Sequence, residues 1–389
     1  MISIETILRF LKLPLDLLVV VIKYYLGATK YRKYANRLKI CLKLTIYRFG
    51  LSIPIQDAHV LKFMENSTLF KVLKFQYPKL TSTIPGYGEQ FGNHGIWFAK
   101  DNFREKDDPI IIYSHGGGYF LETQLEQLKS LVAIYKHLDP TKKYSILFLD
   151  YDLVSMGRKF PRQLNQLDSV YSDLVEQGNT NIILMGDSAG GHLSISYVQY
   201  IYSHKPFLPY PKQLVLISPW CKLNIDSKSE RRPGRSYNDN RLRDLISIDI
   251  FKPELFELFL NPKNIEFHPY FNWSHEPETN WSKIPFFKDP KNKVFVIYGE
   301  DESFRDHIIE WTNEVFGNHL SYERTNNKYS EICTKTIESK DKPKLVTYME
   351  PWGVHDGIFF TEYDAIGNIE NAKTDKYFGI SKVIKFLNE

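Results

Sequence analysis

The stretch "NIILMGDSAGGHLSIS", residues 181–196, joins a short apolar run to a cluster of small residues around one serine. Asn181 to Met185 contains two adjacent isoleucines and stops at a glycine, the pattern of a buried strand. Beyond the turn, "HLSISYVQYIY" places its apolar residues at helical spacing. Strand, tight turn and helix are therefore predicted in succession. Gly186-Asp187-Ser188-Ala189-Gly190 fits G-x-S-x-G. In that turn the serine takes a strained backbone conformation, and glycines two residues to either side leave room for it. The Ser188 hydroxyl is thereby pointed out of a sheet edge.

Outward from this elbow, short apolar runs recur at 109–115, 145–151, 213–218, 293–299 and 344–350, with 181–186 among them. Most are rich in β-branched residues with little alternation, as strands covered on both faces should be. Helical patterns are predicted between them at 122–138, 161–177, 190–203 and 304–316. The alternation predicts an α/β fold with a mostly parallel sheet, helices on both faces, and loops gathered at the carboxyl ends of the strands. Residues 221–290, aromatic-rich and irregular, are too long for an ordinary loop. With residues 1 to about 90 they are expected to cap the sheet.

A serine hydroxyl is a poor nucleophile at neutral pH and needs a histidine to take its proton, with a carboxylate to fix the histidine tautomer. In this fold class those groups follow in the chain order serine, acid, histidine. His355, in "PWGVHDG" after the last predicted strand, is the expected base. The acid is expected after the strand before, where "VIYGEDESFRDHI" offers Glu300, Asp301, Glu302 and Asp306. Three consecutive carboxylates are not expected to all face inward, so one or two should be solvated. His115-Gly116-Gly117-Gly118 follows the strand at 109–115 and suits an oxyanion hole. Gly116, Gly117 and the amide of Ala189 are its expected donors. His115 is read as a brace for this loop, and His192 as part of the helix behind the elbow, pointing away.

Composition narrows the alternatives. The chain has 389 residues, is 43% hydrophobic and carries a formal charge of +4, without a Lys/Arg block interleaved with aromatics. A large core is within reach, and a nucleic-acid partner is not indicated. Cys41, Cys221 and Cys333 are far apart and form no C-x-x-C, so neither a zinc site nor a disulfide framework is suggested. The chemistry calls for no cofactor. Sequons stand at Asn66, Asn272 and Asn280. "LPLDLLVVVI", residues 13–22, is about half the ~20 residues that span a bilayer. Arg9, Lys12, Asp16 and Lys23 recur beside its apolar residues. Residues 1–27 are accordingly expected to be an amphipathic segment lying on a membrane surface, preceding a hydrolase domain over 28–389.

The motifs HGGG and GDSAGG with the late histidine resemble the hormone-sensitive-lipase-like branch of α/β hydrolases over about residues 105–389. More narrowly, "HGGGYFLETQLEQL", "NIILMGDSAGGHLS", "LISPW" and "YGEDESFRDHI" look like the fungal steryl acetyl hydrolases, a likeness extending upstream into "IKYYLG" and "YRFGLSIPIQD". The resemblance implies a serine esterase that removes acetyl groups from sterols or similar lipophilic alcohols at the endoplasmic reticulum membrane, with the active domain lumenal. Lys23, Lys30, Arg32 and Lys33 would instead favour the cytosolic side for a helix that did span. The branch commonly carries D-P-L-R-D. Setting Arg305-Asp306 on its last two letters puts Glu302 on the triad acid, with Asp301 the alternative. Other short acyl esters, an N-formyl amide, or a hydrolase fold kept only for binding are the competing readings, and the oligomeric state stays open.

Overall fold

All six predicted strands are present in the computed structural model, which describes residues 2–389 apart from 63, 224, 252–254, 261–269, 271–280, 318, 328–333 and 364–376. They are β3 (Ile110–Ser114), β4 (Ser145–Leu149), β5 (Ile182–Asp187), β6 (Gln213–Ile217), β7 (Lys293–Gly299) and β9 (Lys344–Glu350). Three more strands carry no strong pattern: the two-residue β1 (Gln90–Phe91), β2 (Gly95–Ala99) and the largely exposed β8 (Thr334–Ile337). The nine form one sheet in the order β1-β2-β4-β3-β5-β6-β7-β9-β8. From β4 to β9 every pairing is parallel, while β1, β2 and β8 attach antiparallel at the edges.

Alternate residues of the central strands feed two cores, which is why those runs read as continuously apolar. On one face Ile110, Ile112, Ile182 and Leu184 pack with Leu193 and Tyr197 of the helix Ala189–His204 and with Leu164 and Leu167 of Arg162–Glu176. On the other, Ile111, Tyr113, Ile183 and Met185 meet Leu128 and Leu131 of the helix Leu125–His137 and Val383 of the C-terminal helix Phe378–Asn388.

The expected cap divides in two. The described part of the insertion adds Phe251, Phe259, Trp281 and Phe286 to the first core. The helix α3 (Asn66–Gln76) instead packs Leu69, Phe70 and Leu73 into the second. Ahead of it, α1 (Ile4–Tyr25) and α2 (Leu38–Ser52) lie against each other, with Phe10 edge-on to Phe49 at 4.9 Å. The link between them is clamped onto the sheet: Arg32 pairs with Asp301, Lys33 with Glu350, and the Tyr34 hydroxyl lies 3.0 Å from that of Thr361. Both Cys41 and Cys221 are buried free thiols. The sequons Asn272 and Asn280, and Cys333, lie outside the described residues, whereas Asn66 is buried with its amide on Asp150 at 2.8 Å.

Candidate active site

Where β5 turns into the helix Ala189–His204, Ser188 has φ +49° and ψ −113°, a backbone conformation an L-residue rarely adopts. The flanking glycines make it possible. A Cβ on Gly190 would sit 1.9 Å from the carbonyl oxygen of Ser114, and one on Gly186 2.3 Å from the carbonyl carbon of Gly190. The Ser188 amide donates to Ile217 at 2.9 Å, which ties the elbow to β6. Its hydroxyl lies 2.9 Å from Nε2 of His355, a residue 167 positions away in the loop after β9.

Of the four acidic residues after β7, Glu302 alone faces the imidazole. Its Oε1 is 3.6 Å from His355 Nδ1, an ion pair just beyond hydrogen-bond length. The other oxygen, Oε2, accepts the Ser218 hydroxyl and the Gly299 amide, each at 2.7 Å. The alternative, Asp301, is turned away and held by both Arg32 Nε, at 2.8 Å, and Nη2. Glu300 accepts the amides of Thr325 and Trp352 at 2.9 and 3.0 Å, and Asp306 accepts the amide of Ser236 at 2.8 Å. The expectation that some of the acidic run is solvated is corrected: Glu300, Asp301 and Glu302 are all buried. Each has its own donors, and paired charges can leave water.

Asp187, the variable residue before the serine, is fully buried. It accepts the Tyr113 hydroxyl at 2.6 Å, Gln127 Nε2 at 2.8 Å and the backbone N–H of Gly116. This corrects one expectation about the glycine loop. Gly116 is committed to Asp187, and a Cβ there would fall 2.3 Å from that carboxylate. Among the described residues no acceptor takes the amides of Gly117, Gly118 or Ala189. His115 stacks on Tyr151 at 4.3 Å, and burial pushes it down to about 4, so it stays neutral. His192 bonds Tyr119 and the Tyr270 carbonyl and is pushed down to about 3, again by burial.

Three polar residues without a motif of their own complete the surroundings. Asp356, at φ +49°, places Oδ2 3.2 Å from His355 Nε2, the nitrogen that faces Ser188. Burial pulls the imidazole down, but Asp356 first and then Glu302 outweigh it and hold His355 well above its ordinary value. Burial raises Asp356 itself. Ser218, at φ +42°, donates to Glu302 and accepts the Asp356 amide at 3.1 Å. Asp244, from the insertion, accepts the His355 amide at 2.8 Å. Around the imidazole the walls are aromatic: Phe304 is edge-on to His355 at 4.7 Å, Trp220 stacks on Phe304 at 6.0 Å, and Phe251 and Phe259 abut Trp220. Ser188 and His355 are closed off from solvent. Among the described residues no cluster of His, Cys, Asp or Glu is placed to hold a metal ion.

A family model described as steryl acetyl hydrolase matches residues 87–357. The provisionally named steryl acetyl hydrolase mug81 of Schizosaccharomyces pombe is 30% identical over the whole chain and 99% of its own length. Steryl acetyl hydrolase 1 of Saccharomyces cerevisiae is 28% identical over 66% of this chain and 57% of its own. An esterase structure from the bacterial hormone-sensitive lipase family superposes with a TM-score of 0.55 at 18% identity, covering 90% of this chain and 97% of that one, a likeness of fold.

Proposed function

The chain belongs to the steryl acetyl hydrolase family, and from that premise we propose that it is a serine esterase cleaving the acetyl ester of a sterol or a similarly lipophilic alcohol. The observation that carries the proposal is the Ser188 hydroxyl, on a strained elbow, 2.9 Å from His355 Nε2 with Glu302 behind the ring. Ser188 Oγ attacks the acetyl carbonyl while Nε2 takes its proton. The tetrahedral oxyanion rests on the amides of Gly117, Gly118 and Ala189, each such donor being worth about 2.7–4 kcal/mol in mutated enzymes. When the carbon–oxygen bond to the alcohol breaks, His355 returns the proton to the departing oxygen. A water then attacks the acetyl-serine, with His355 again as base, and acetate leaves as Ser188 is restored. Throughout, Glu302 holds the imidazole tautomer and stabilises its cationic form.

The alcohol is apolar because Trp220, Phe251, Phe259 and Phe304 gather beside His355, where they exclude water and cover a bulky leaving group. Phe271 and Trp273 of the same aromatic-rich insertion lie outside the described residues. The substrate is reached from a membrane on which α1 rests. Ile4, Leu8, Leu11, Leu15 and Leu18 of α1 are more than half exposed, while Arg9, Lys12 and Asp16, themselves partly open to solvent, line a cavity of about 1170 Å³ beside them. No described helix is long and apolar enough to cross a membrane. An interfacial helix needs only one apolar face. Placement at the endoplasmic reticulum, facing the lumen, is supported by the resemblance alone. Glycosidase-sensitive mass on the protein from sealed microsomes is its check.

The decisive experiment combines an organophosphonate probe with paired substrates. The protein should be labelled at Ser188 and should hydrolyse steryl acetate in preference to steryl esters of longer acyl chains. Ser188→Ala should abolish both labelling and turnover. Absence of labelling in the folded protein would leave a hydrolase fold that only binds, and a preference for long acyl chains would replace the acetyl esterase by a lipase.

A further inference from the structure

The two loops that carry Glu302 and His355 leave different strands, and one side chain from outside the sheet touches both. Asp244 is fully buried. Its Oδ2 accepts the amide of Ser303, the residue after Glu302, at 2.7 Å, and its Oδ1 accepts the amide of His355 at 2.8 Å. The surrounding segment of the insertion wraps the acid loop. Asn240 Nδ2 donates to the carbonyls of Glu302 and Glu300 at 3.0 and 3.3 Å. The Ser236 hydroxyl donates to the Ser303 carbonyl at 2.6 Å, and the Ser303 hydroxyl donates to the Ile246 carbonyl at 2.9 Å. Behind Asp244 stands Arg48 of α2, whose Nη1 donates to the Asp244 carbonyl and whose Nη2 donates to that of Arg241 at 2.5 Å.

We propose that Asp244 is a positioning residue, which sets the separation of Glu302 and His355, and that Arg48 couples this clamp to the α1–α2 layer. This rests on the assignment of Glu302 as acid and His355 as base. A carboxylate suits the role because it only accepts hydrogen bonds, so both of its oxygens can take a backbone N–H in a place closed to water. Asparagine of the same size cannot reproduce it: one amide finds the carbonyl oxygen, and the other faces an NH2 group. One of the two loops is then released. The Glu302 to His355 distance of 3.6 Å leaves little slack before the ion pair is lost, and a displacement of about 1 Å at such a site can cost on the order of 10²-fold in rate. The arrangement also gives the insertion a duty beyond covering the pocket, since 236–246 holds the acid loop from outside the sheet.

Charge separates positioning from mere support of the fold. The groups facing His355 are Glu302 on the loop after β7, Asp356 on its own loop, Ser188 and the nearby Asp187 on the elbow, and Asp244 on the insertion. Removing the Asp244 charge takes away one influence favouring the imidazolium. The acid limb of the rate profile should therefore move to lower pH, a displacement that a loosened fold does not produce by itself.

The test uses the full-length protein with p-nitrophenyl acetate, a substrate that needs little of the alcohol pocket. Asp244→Asn should lower kcat by roughly 10²-fold with KM almost unchanged, slow phosphonate labelling of Ser188 in parallel, and shift the acid limb downward. Arg48→Ala should lower kcat less, and the double variant should be no worse than Asp244→Asn alone, because both act through one clamp. Should Asp244→Asn fail to fold, Arg48→Ala and Asn240→Ala, which leave the carboxylate in place, should still slow labelling at unchanged melting temperature. Normal kcat in a folded Asp244→Asn, an unmoved acid limb, or additive losses with Arg48→Ala would overturn the proposal. A wild type that is neither labelled nor active would instead overturn the esterase assignment beneath it.

Discussion

His355 receives opposite demands from its two carboxylate neighbours. Glu302, 3.6 Å from Nδ1, leaves Nε2 free to accept a proton, whereas Asp356, 3.2 Å from Nε2, competes with Ser188 for that same nitrogen. The net outcome is an imidazole held well above its ordinary value despite burial, with Asp356 the larger of the raising influences. A base must be unprotonated to act, so kcat/KM should fall away on the acid side at a higher pH than an ordinary histidine would dictate. Removing a neighbouring negative charge lowers the pKa of a cation-forming group. Asp356→Asn should accordingly keep its activity to lower pH than the parent, and a pH series of kcat/KM is the check; a limb that stays put or moves upward would mean that Asp356 does not bear on the ring. Asp301 makes the opposite point. Bound by Arg32 from the far end of the chain, it is spoken for before His355 can reach it. No local pattern in "GEDES" distinguishes it from Glu302, since the deciding cation lies 269 positions away.

Among the elements, α1 has the least ordinary orientation. Helices of soluble domains turn their apolar stripe inward, whereas this one buries Thr6 and Val20 and exposes Leu11 at 69% and Leu15 at 62%. Its start is pinned by Asp57, whose Oδ2 accepts the Ser3 amide at 3.1 Å and the Thr6 hydroxyl at 2.5 Å, so the outward face is presented on a fixed support. Burying one such leucine is worth about 1.5–3 kcal/mol. Leu11→Glu with Leu15→Glu should therefore weaken binding to phospholipid vesicles by at least 10²-fold, on the order of two such burials, while hydrolysis of a soluble ester stays unchanged. Vesicle co-sedimentation beside p-nitrophenyl acetate turnover measures both, and undiminished co-sedimentation would argue against α1 as the membrane contact.

At the scale of the whole molecule, the chain beyond α1 cannot be pared away in the same manner. Arg32, Lys33 and Tyr34 grip the loop after β7, the end of β9 and the helix Gly357–Thr361, and Tyr31, Tyr34, Ile40, Cys41 and Leu44 share a core with Val354 and Phe360 to which α1 adds Val20. Deleting residues 2–27 should leave soluble-ester hydrolysis within several-fold of the full chain, whereas deleting 2–37 should give insoluble or inactive protein. Expression of the two truncations decides it, and equal behaviour would erase the boundary at residue 27. What the sequence by itself determined was what nearest neighbours enforce. The β-branched runs became the parallel strands, the two glycines allowed the strained Ser188, and the alternation of strand and helix specified the layers. β1 and β8 escaped because two residues, or a polar edge exposed to water, leave no periodic signal, and β2 because a buried run of five residues opening on a glycine is too short to stand out. Tertiary structure alone decided which carboxylate faces His355, why Gly116 is committed to Asp187, and that Ser218, Asp244 and Asp356 surround the imidazole. Those choices follow from hydrogen bonds between residues tens to hundreds of positions apart in an interior closed to water, where each buried donor or acceptor takes the partner the fold brings to it.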